Sequence, residues 1–183
     1  MQEMPPSIEP SAVLKRLVSR SICPDDATYK RFLERVEQGA LTRDESPSSH
    51  FCTYFLPVDQ ASKRVFIVHH KKSGLWLSPG EHIDRGETPD QAVNREIAEE
   101  LGVQKFYTQE PRPFFFSIVD IEGQKTPCQS HFDLWYRMET NGSDFHVDPS
   151  EFHQTKWMTV PEARGIIVDP SNLQALEIIE KLF

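Results

Sequence analysis

Apolar residues recur along this chain with two different periods, and the change between them falls near residue 48. Before it, "SAVLKRLVSRS" places Val13, Leu14, Leu17 and Val18 at helical spacing, with Lys15 and Arg16 between them. "DDATYKRFLERVEQG" sets Tyr29, Phe32, Leu33 and Val36 on one helical stripe, and Gly39 is placed to end that helix. Pro24 and "ESPSS" punctuate the segment. Residues 1–47 are therefore expected to form an N-terminal helical extension packed on the main domain, as a structural flap, a lid or a dimer contact.

From His50 onward the pattern is that of strands. "HFCTYFLPV", "RVFIVHH", "RPFFFSIVDI" and "TKWMTV" are aromatic and β-branched runs bounded by polar residues. "HFDLWYRM" alternates Phe132, Leu134, Tyr136 and Met138 against Asp133, Trp135 and Arg137, which predicts one core face and one face partly exposed or lining a cleft. "PEARGII" suggests a short helix, and "SNLQALEIIEKLF" an amphipathic one with Leu173, Leu176, Ile179 and Phe183 inward. The sum is an α/β chain, a mixed sheet with helices around it.

Composition narrows the partners. The 183 residues suffice for one domain with a proper core. A net charge of −8 argues against broad, sequence-independent nucleic-acid binding, which needs a basic surface. An anionic substrate would then need a cation or a local basic group to approach. No apolar run is long enough to span a bilayer, and "MQEMPPSIEPSAVLKRL" lacks the basic-then-apolar pattern of a signal peptide, so a cytoplasmic protein without membrane partners is expected. Cys23, Cys52 and Cys128 are far apart and odd in number, which predicts reduced, structural cysteines and no CxxC metal site.

The chemistry concentrates in "PGEHIDRGETPDQAVNREIAEELGV", Pro79 to Val103. Thr88 is a plausible N-cap, Pro89 fits the first helical position, Gln91 completes a capping box and Gly102 can stop the helix, which predicts a helix over 89–101. Its apolar line is Val93, Ile97 and Leu101. Glu96, Glu99 and Glu100 stand at i, i+3 and i+4, with Glu100 about 60° and Glu96 about 100° from the centre of that line. Such carboxylates edge a groove and offer the hard oxygen ligands that suit Mg²⁺ or Mn²⁺. The other reading of the same acids is a solvated helix face, with Arg95 pairing Glu99 at i+4.

The spacing Glu87-x7-Arg95-Glu96-Ile97-x-Glu99-Glu100-x-Gly102-Val103 resembles the Nudix box, the signature of Nudix hydrolases, and eight of its nine defined positions match. "VFIVHHKKSGLWLSPG" and "TKWMTVPEA" resemble the family's flanking pieces, so the likeness runs over roughly residues 50–165. It implies a Nudix domain within 48–183, an α/β/α sandwich with a mixed sheet and the box as loop–helix–loop. It also implies Mg²⁺- or Mn²⁺-dependent hydrolysis of a nucleoside diphosphate linked to another group. Glu96, Glu99 and Glu100 would hold the ions. Glu87 would act as a further ligand through water or as the partner of Arg95, and Glu99 would belong to the catalytic set as well.

One position departs from the box. Its first glycine is replaced by Glu81, which puts the loop's backbone geometry and turnover in question and leaves a ligand-binding or regulatory module as the alternative. Outside the box, Glu151 is the first candidate for the general base and His153 the second. Lys71, Lys72 and Arg85 are candidates to meet phosphates, and His131 and Asp133 to line the cleft. Trp76 and Phe114 to Phe116 are expected chiefly to pack. A homo-oligomer is compatible with the chain, which does not specify one.

Overall fold

A computed structural model of the protein describes residues 9–121 and 127–183; the first eight residues, where the reading of a missing signal peptide begins, lie outside them. Two helices come first, α1 (Pro10–Leu17) and α2 (Asp26–Glu37). Asp25 caps α2 by accepting from the Thr28 N–H at 2.7 Å, which satisfies one of the free donors of the first turn. The predicted stripes point inward. Val13, Leu14 and Phe32 are fully buried, and the Phe32 ring meets Phe116 and Phe132 of the sheet at 4.8 and 5.2 Å between centroids. A buried phenylalanine of this kind contributes about 1.5–3 kcal/mol, so α2 shares the main core.

Arg35 extends that anchoring to the next loop. Its buried guanidinium donates to the carbonyls of Gly39, Ala40 and Ser49 at 2.6–2.7 Å. These carbonyls belong to the turn after α2 and to the start of β1, so the segment leading to Arg43 is fixed against the sheet.

The sheet is mixed and turns on β1 (Ser49–Asp59). Along one edge β1 runs parallel to β6 (Ser130–Glu139), from Ser49 opposite Ser130 to Val58 opposite Glu139. Antiparallel β5 (Phe115–Asp120) lies beyond β6. The other edge of β1 is divided. Cys52 to Tyr54 pair with β4 (Gly80–His82), while Val58 and Asp59 pair with β2 (Arg64–His70). β2 in turn pairs with β7 (Phe152–Thr159) and with the two-residue β3 (Trp76–Leu77). β3 and β4 are too short to show a period of their own, and their place is set by these pairings.

Both faces of the sheet are covered. Phe51, Phe55, Leu134 and Tyr136 pack towards α1, α2 and α3 (Pro89–Leu101). Leu56, Val58, Val65 and Ile67 pack towards α4 (Val160–Arg164) and α5 (Pro170–Glu180). This is the expected α/β/α sandwich. The expectation for β6 needs correcting: Asp133 and Trp135, assigned to its more exposed face, are 1% and 0% exposed, because Phe115 and Ala175 of α5 close over Trp135. Trp76 packs against the cluster that holds Leu56 and Ile67, as expected, and also stacks on His69 at 5.0 Å with the Lys156 ammonium 5.1 Å from its ring centroid.

Candidate active site

Helix α3 forms where its capping residues place it. The Thr88 N–H donates to Gln91 Oε1 at 2.9 Å, and Gly102 takes the left-handed conformation that ends the helix. Val93, Ile97 and Leu101 are fully buried against the sheet, and this rotation of the helix sets the acids. Glu96 and Glu100 are only 3% and 5% exposed, whereas Glu99 projects into solvent.

Arg95 organises the cluster. It donates to Glu87 through Nε at 2.9 Å and Nη2 at 3.1 Å, to Glu99 at 3.1 Å, to Glu96, and to the His82 carbonyl at 3.0 Å. Burial opposes its charge, but the bond to Glu87 and the field of Glu96 raise its pKa above the ordinary arginine value. One guanidinium thus spans the loop, β4 and the helix.

It does not neutralise everything. Burial pushes Glu96 up to about 7 against the pull of Arg95, with Glu81 and Glu99 adding to the rise. Burial also drives Glu100 well above the usual carboxylate range, reinforced by Glu96, Glu81 and Glu151 and opposed by the Gly80 N–H. Glu100 Oε2 is buried without any hydrogen-bond partner. An orphaned carboxylate oxygen facing other acids is a costly arrangement in protein alone, and a hard divalent cation supplies what it lacks. The unmet acceptor on Glu100 is the feature here that suits such an ion, while Glu96 and Glu99 are held by Arg95.

The departure at Glu81 is absorbed by the strand. Gly80 carries the positive φ, +124°, and a Cβ there would stand 2.3 Å from the Thr53 carbonyl oxygen. Glu81 itself has ordinary strand backbone, opposite Thr53, so a side chain fits. That side chain bonds Lys72 at 3.0 Å, and Lys72 lies 4.0 Å from Glu151. Burial would raise the Glu81 pKa, but Lys72 and His82 bring it below the usual value.

Two adjoining hollows border the Glu96, Glu99 and Glu81 side of this cluster; Glu100 and Glu151 line neither. The first, about 270 Å³, is lined by Glu96, Glu99, Arg95, Arg43, Arg85 and Lys72. The second, about 690 Å³, shares Arg43, Lys72, Glu81 and His82, and continues over Tyr54, Leu77 and His131. Arg85 and His131 thus line the cleft. Lys71 does not: its ammonium donates to the Pro149 carbonyl at 2.6 Å and braces the loop that carries Glu151. Asp133 is buried and lines neither hollow, accepting from the Ser117 hydroxyl at 3.1 Å, and burial pushes it up to about 8. His153 lies tilted against His69, 5.0 Å between ring centroids, from an exposed position on β7. Arg43, Tyr54 and His82 were not singled out in the sequence. Burial holds His50, His82 and His131 below the ordinary histidine pKa, His82 at about 4 and His131 at about 3.

The NUDIX domain profile matches residues 49–182, most of the chain. The chain belongs to the Nudix hydrolase family. Similar relatives include an RNA pyrophosphohydrolase of Rickettsia africae, 27% identical over 140 residues, spanning 67% of this chain and 86% of that protein. Another from Rickettsia conorii is 28% identical over 120 residues, spanning 59% of this chain and 74% of its own. Among solved structures, the E. coli dihydroneopterin triphosphate pyrophosphohydrolase superposes with a TM-score of 0.54 at 20% identity, covering 69% of this chain and 92% of that one. A C. elegans Ap4A hydrolase gives 0.55 at 19%, covering 74% and 96%. At these identities the structures establish the shared Nudix fold. No described helix is long and apolar enough to cross a membrane.

Proposed function

We propose that this chain is a divalent-metal-dependent hydrolase that cleaves the pyrophosphate bond of a nucleoside diphosphate linked to another group. The observation that carries the reading is the unpartnered, buried Glu100 Oε2, set among Glu96, Glu81 and Glu151. Glu96, Glu99 and Glu100 hold Mg²⁺ or Mn²⁺, which when bound neutralises pyrophosphate charge and acidifies water.

The chain's own residues do the rest. Arg43, Lys72 and Arg85 line the cleft as cations and draw the phosphates in against a net charge of −8. Tyr54 and Leu77 offer an apolar wall for the nucleoside. Arg95 holds Glu96 and Glu99 in place through the bonds above. Glu151, kept near the acids by Lys72, is the general base: as the water oxygen bonds to phosphorus, the bridging P–O bond breaks, its electrons leave with the bridging oxygen, and the water proton passes to Glu151. The names of the Rickettsia relatives add RNA to the substrates worth testing, as a phosphorylated end held in a local basic cleft.

The test is product release from nucleotide sugars, ADP-ribose, dinucleoside polyphosphates and a short 5′-triphosphorylated RNA, with Mg²⁺, with Mn²⁺ and with chelator. Turnover of at least one, abolished by chelator, is expected. Binding without turnover across the panel would favour a ligand-binding module.

A further inference from the structure

At the far end of the larger hollow, three strands bring together imidazoles and thiols that the hydrolytic reading leaves unused. His50 and Cys52 come from β1, His82 from β4 and His131 from β6. One ligand-type atom from each lies within 4.8 Å of all the others. The three rings stand 4.7, 4.9 and 5.2 Å apart between centroids. Cys128 Sγ borders the same point, 2.8 Å from His131 Nε2 and 3.7 Å from His50 Nε2.

We propose that His50, Cys52, His82 and His131 form a binding site for a zinc ion, separate from the carboxylate cluster. The donor chemistry differs from that of the box helix: imidazole and thiolate are the ligands zinc takes, in a closed set of four, and poor ligands for Mg²⁺. The imidazoles are set up to ligate. His50 Nδ1 lies 3.2 Å from the Ser46 carbonyl, which can only accept, so Nδ1 carries the hydrogen and Nε2 presents its lone pair towards Cys128. A ring nitrogen held in this way is the usual support behind a metal-bound histidine. Three rings this close cannot all be charged, which keeps lone pairs available.

The dimensions suit a small ion. Ligands 2.0–2.3 Å from one zinc stand about 3.3–3.8 Å apart, so the observed spread closes by about an ångström. His82 and His131 are only half-buried and line the open hollow, which gives both room for that rotation and an entry path. On binding, the Cys52 S–H proton is released to solvent as the sulfur–zinc bond forms. The ion joins β1, β4 and β6. Because the His82 carbonyl accepts from Arg95, it also steadies the strand that backs the acidic site.

The test is a titration of the full chain, chelator-treated and kept under a phosphine reductant, with Co²⁺ alone as the probe. One equivalent should give a thiolate-to-cobalt charge-transfer band and intense tetrahedral d–d bands, bleached by one equivalent of Zn²⁺. Cys52→Ser should abolish the charge-transfer band, His131→Gln should weaken Co²⁺ binding more than about tenfold, and Glu100→Gln should leave the spectrum unchanged. Should Cys52→Ser fail to fold, the wild-type spectrum and His131→Gln still decide. No charge-transfer band in the wild type, a band that persists in folded Cys52→Ser, or a spectrum lost in Glu100→Gln but kept in His131→Gln would each overturn the site.

Discussion

Arg95 grips Glu87 through both carboxylate oxygens, at 2.9 and 3.1 Å, and the same guanidinium reaches Glu96, Glu99 and the His82 carbonyl. The box loop, β4 and the box helix are therefore positioned by one planar cation. Arg95→Lys keeps the charge but loses the fork. It should lower stability by about 1.5–3 kcal/mol, the worth of hydrogen bonds to charged groups, and lower turnover more than substrate affinity. Denaturant unfolding alongside kcat and KM checks this; wild-type stability would show that the fork is incidental.

The raised Glu96 and Glu100 make stability depend on pH and metal together. Each acid's folded pKa exceeds its unfolded value, so the folded state binds the proton more tightly and stability falls as these groups ionise. For Glu96 the loss runs from about 4.5 to about 7. Without divalent ions the melting temperature should drop from about pH 5 to about pH 8, and Mn²⁺ should restore more of it at the higher pH. Equal Mn²⁺ effects at both values would argue against these carboxylates as ligands.

Gly80 and Glu81 separate backbone need from charge. Gly80→Ala forces a side chain onto the Thr53 carbonyl at a positive φ, and should cost at least about 2 kcal/mol by strain. Glu81→Gly should keep the fold and at least parental turnover, since it frees Lys72 and removes a charge repelling Glu96 and Glu100. Thermal melts and initial rates report both. Loss of turnover in Glu81→Gly would give Glu81 a positive role.

Glu151→Gln should reduce kcat about 10²- to 10⁴-fold while melting normally. A near-wild-type rate would move the base elsewhere.

Much of this was legible in the chain. Capping residues fixed the box helix, and its apolar line dictated which acids turn inward. The short β3 and β4 were not visible, since two or three residues carry no period. Asp133 and Trp135 lie deeper than the alternation predicts, because alternation reports one face, whereas burial on the other depends on α5, far along the chain. Arg43 escaped notice as a loop residue of the N-terminal segment; only the carbonyls gathered by Arg35 bring that loop to the cleft. The histidine–cysteine cluster had no sequence signature, because β1, β4 and β6 supply its members at wide separations.

The most direct test is Mn²⁺ binding followed by electron paramagnetic resonance, paired with turnover, in the wild type and Glu100→Gln. If the unpartnered Glu100 oxygen is a metal ligand, the variant should fold, bind Mn²⁺ more than about tenfold more weakly and lose most turnover. Unchanged Mn²⁺ affinity with retained turnover would contradict the metal-dependent hydrolase built on that oxygen.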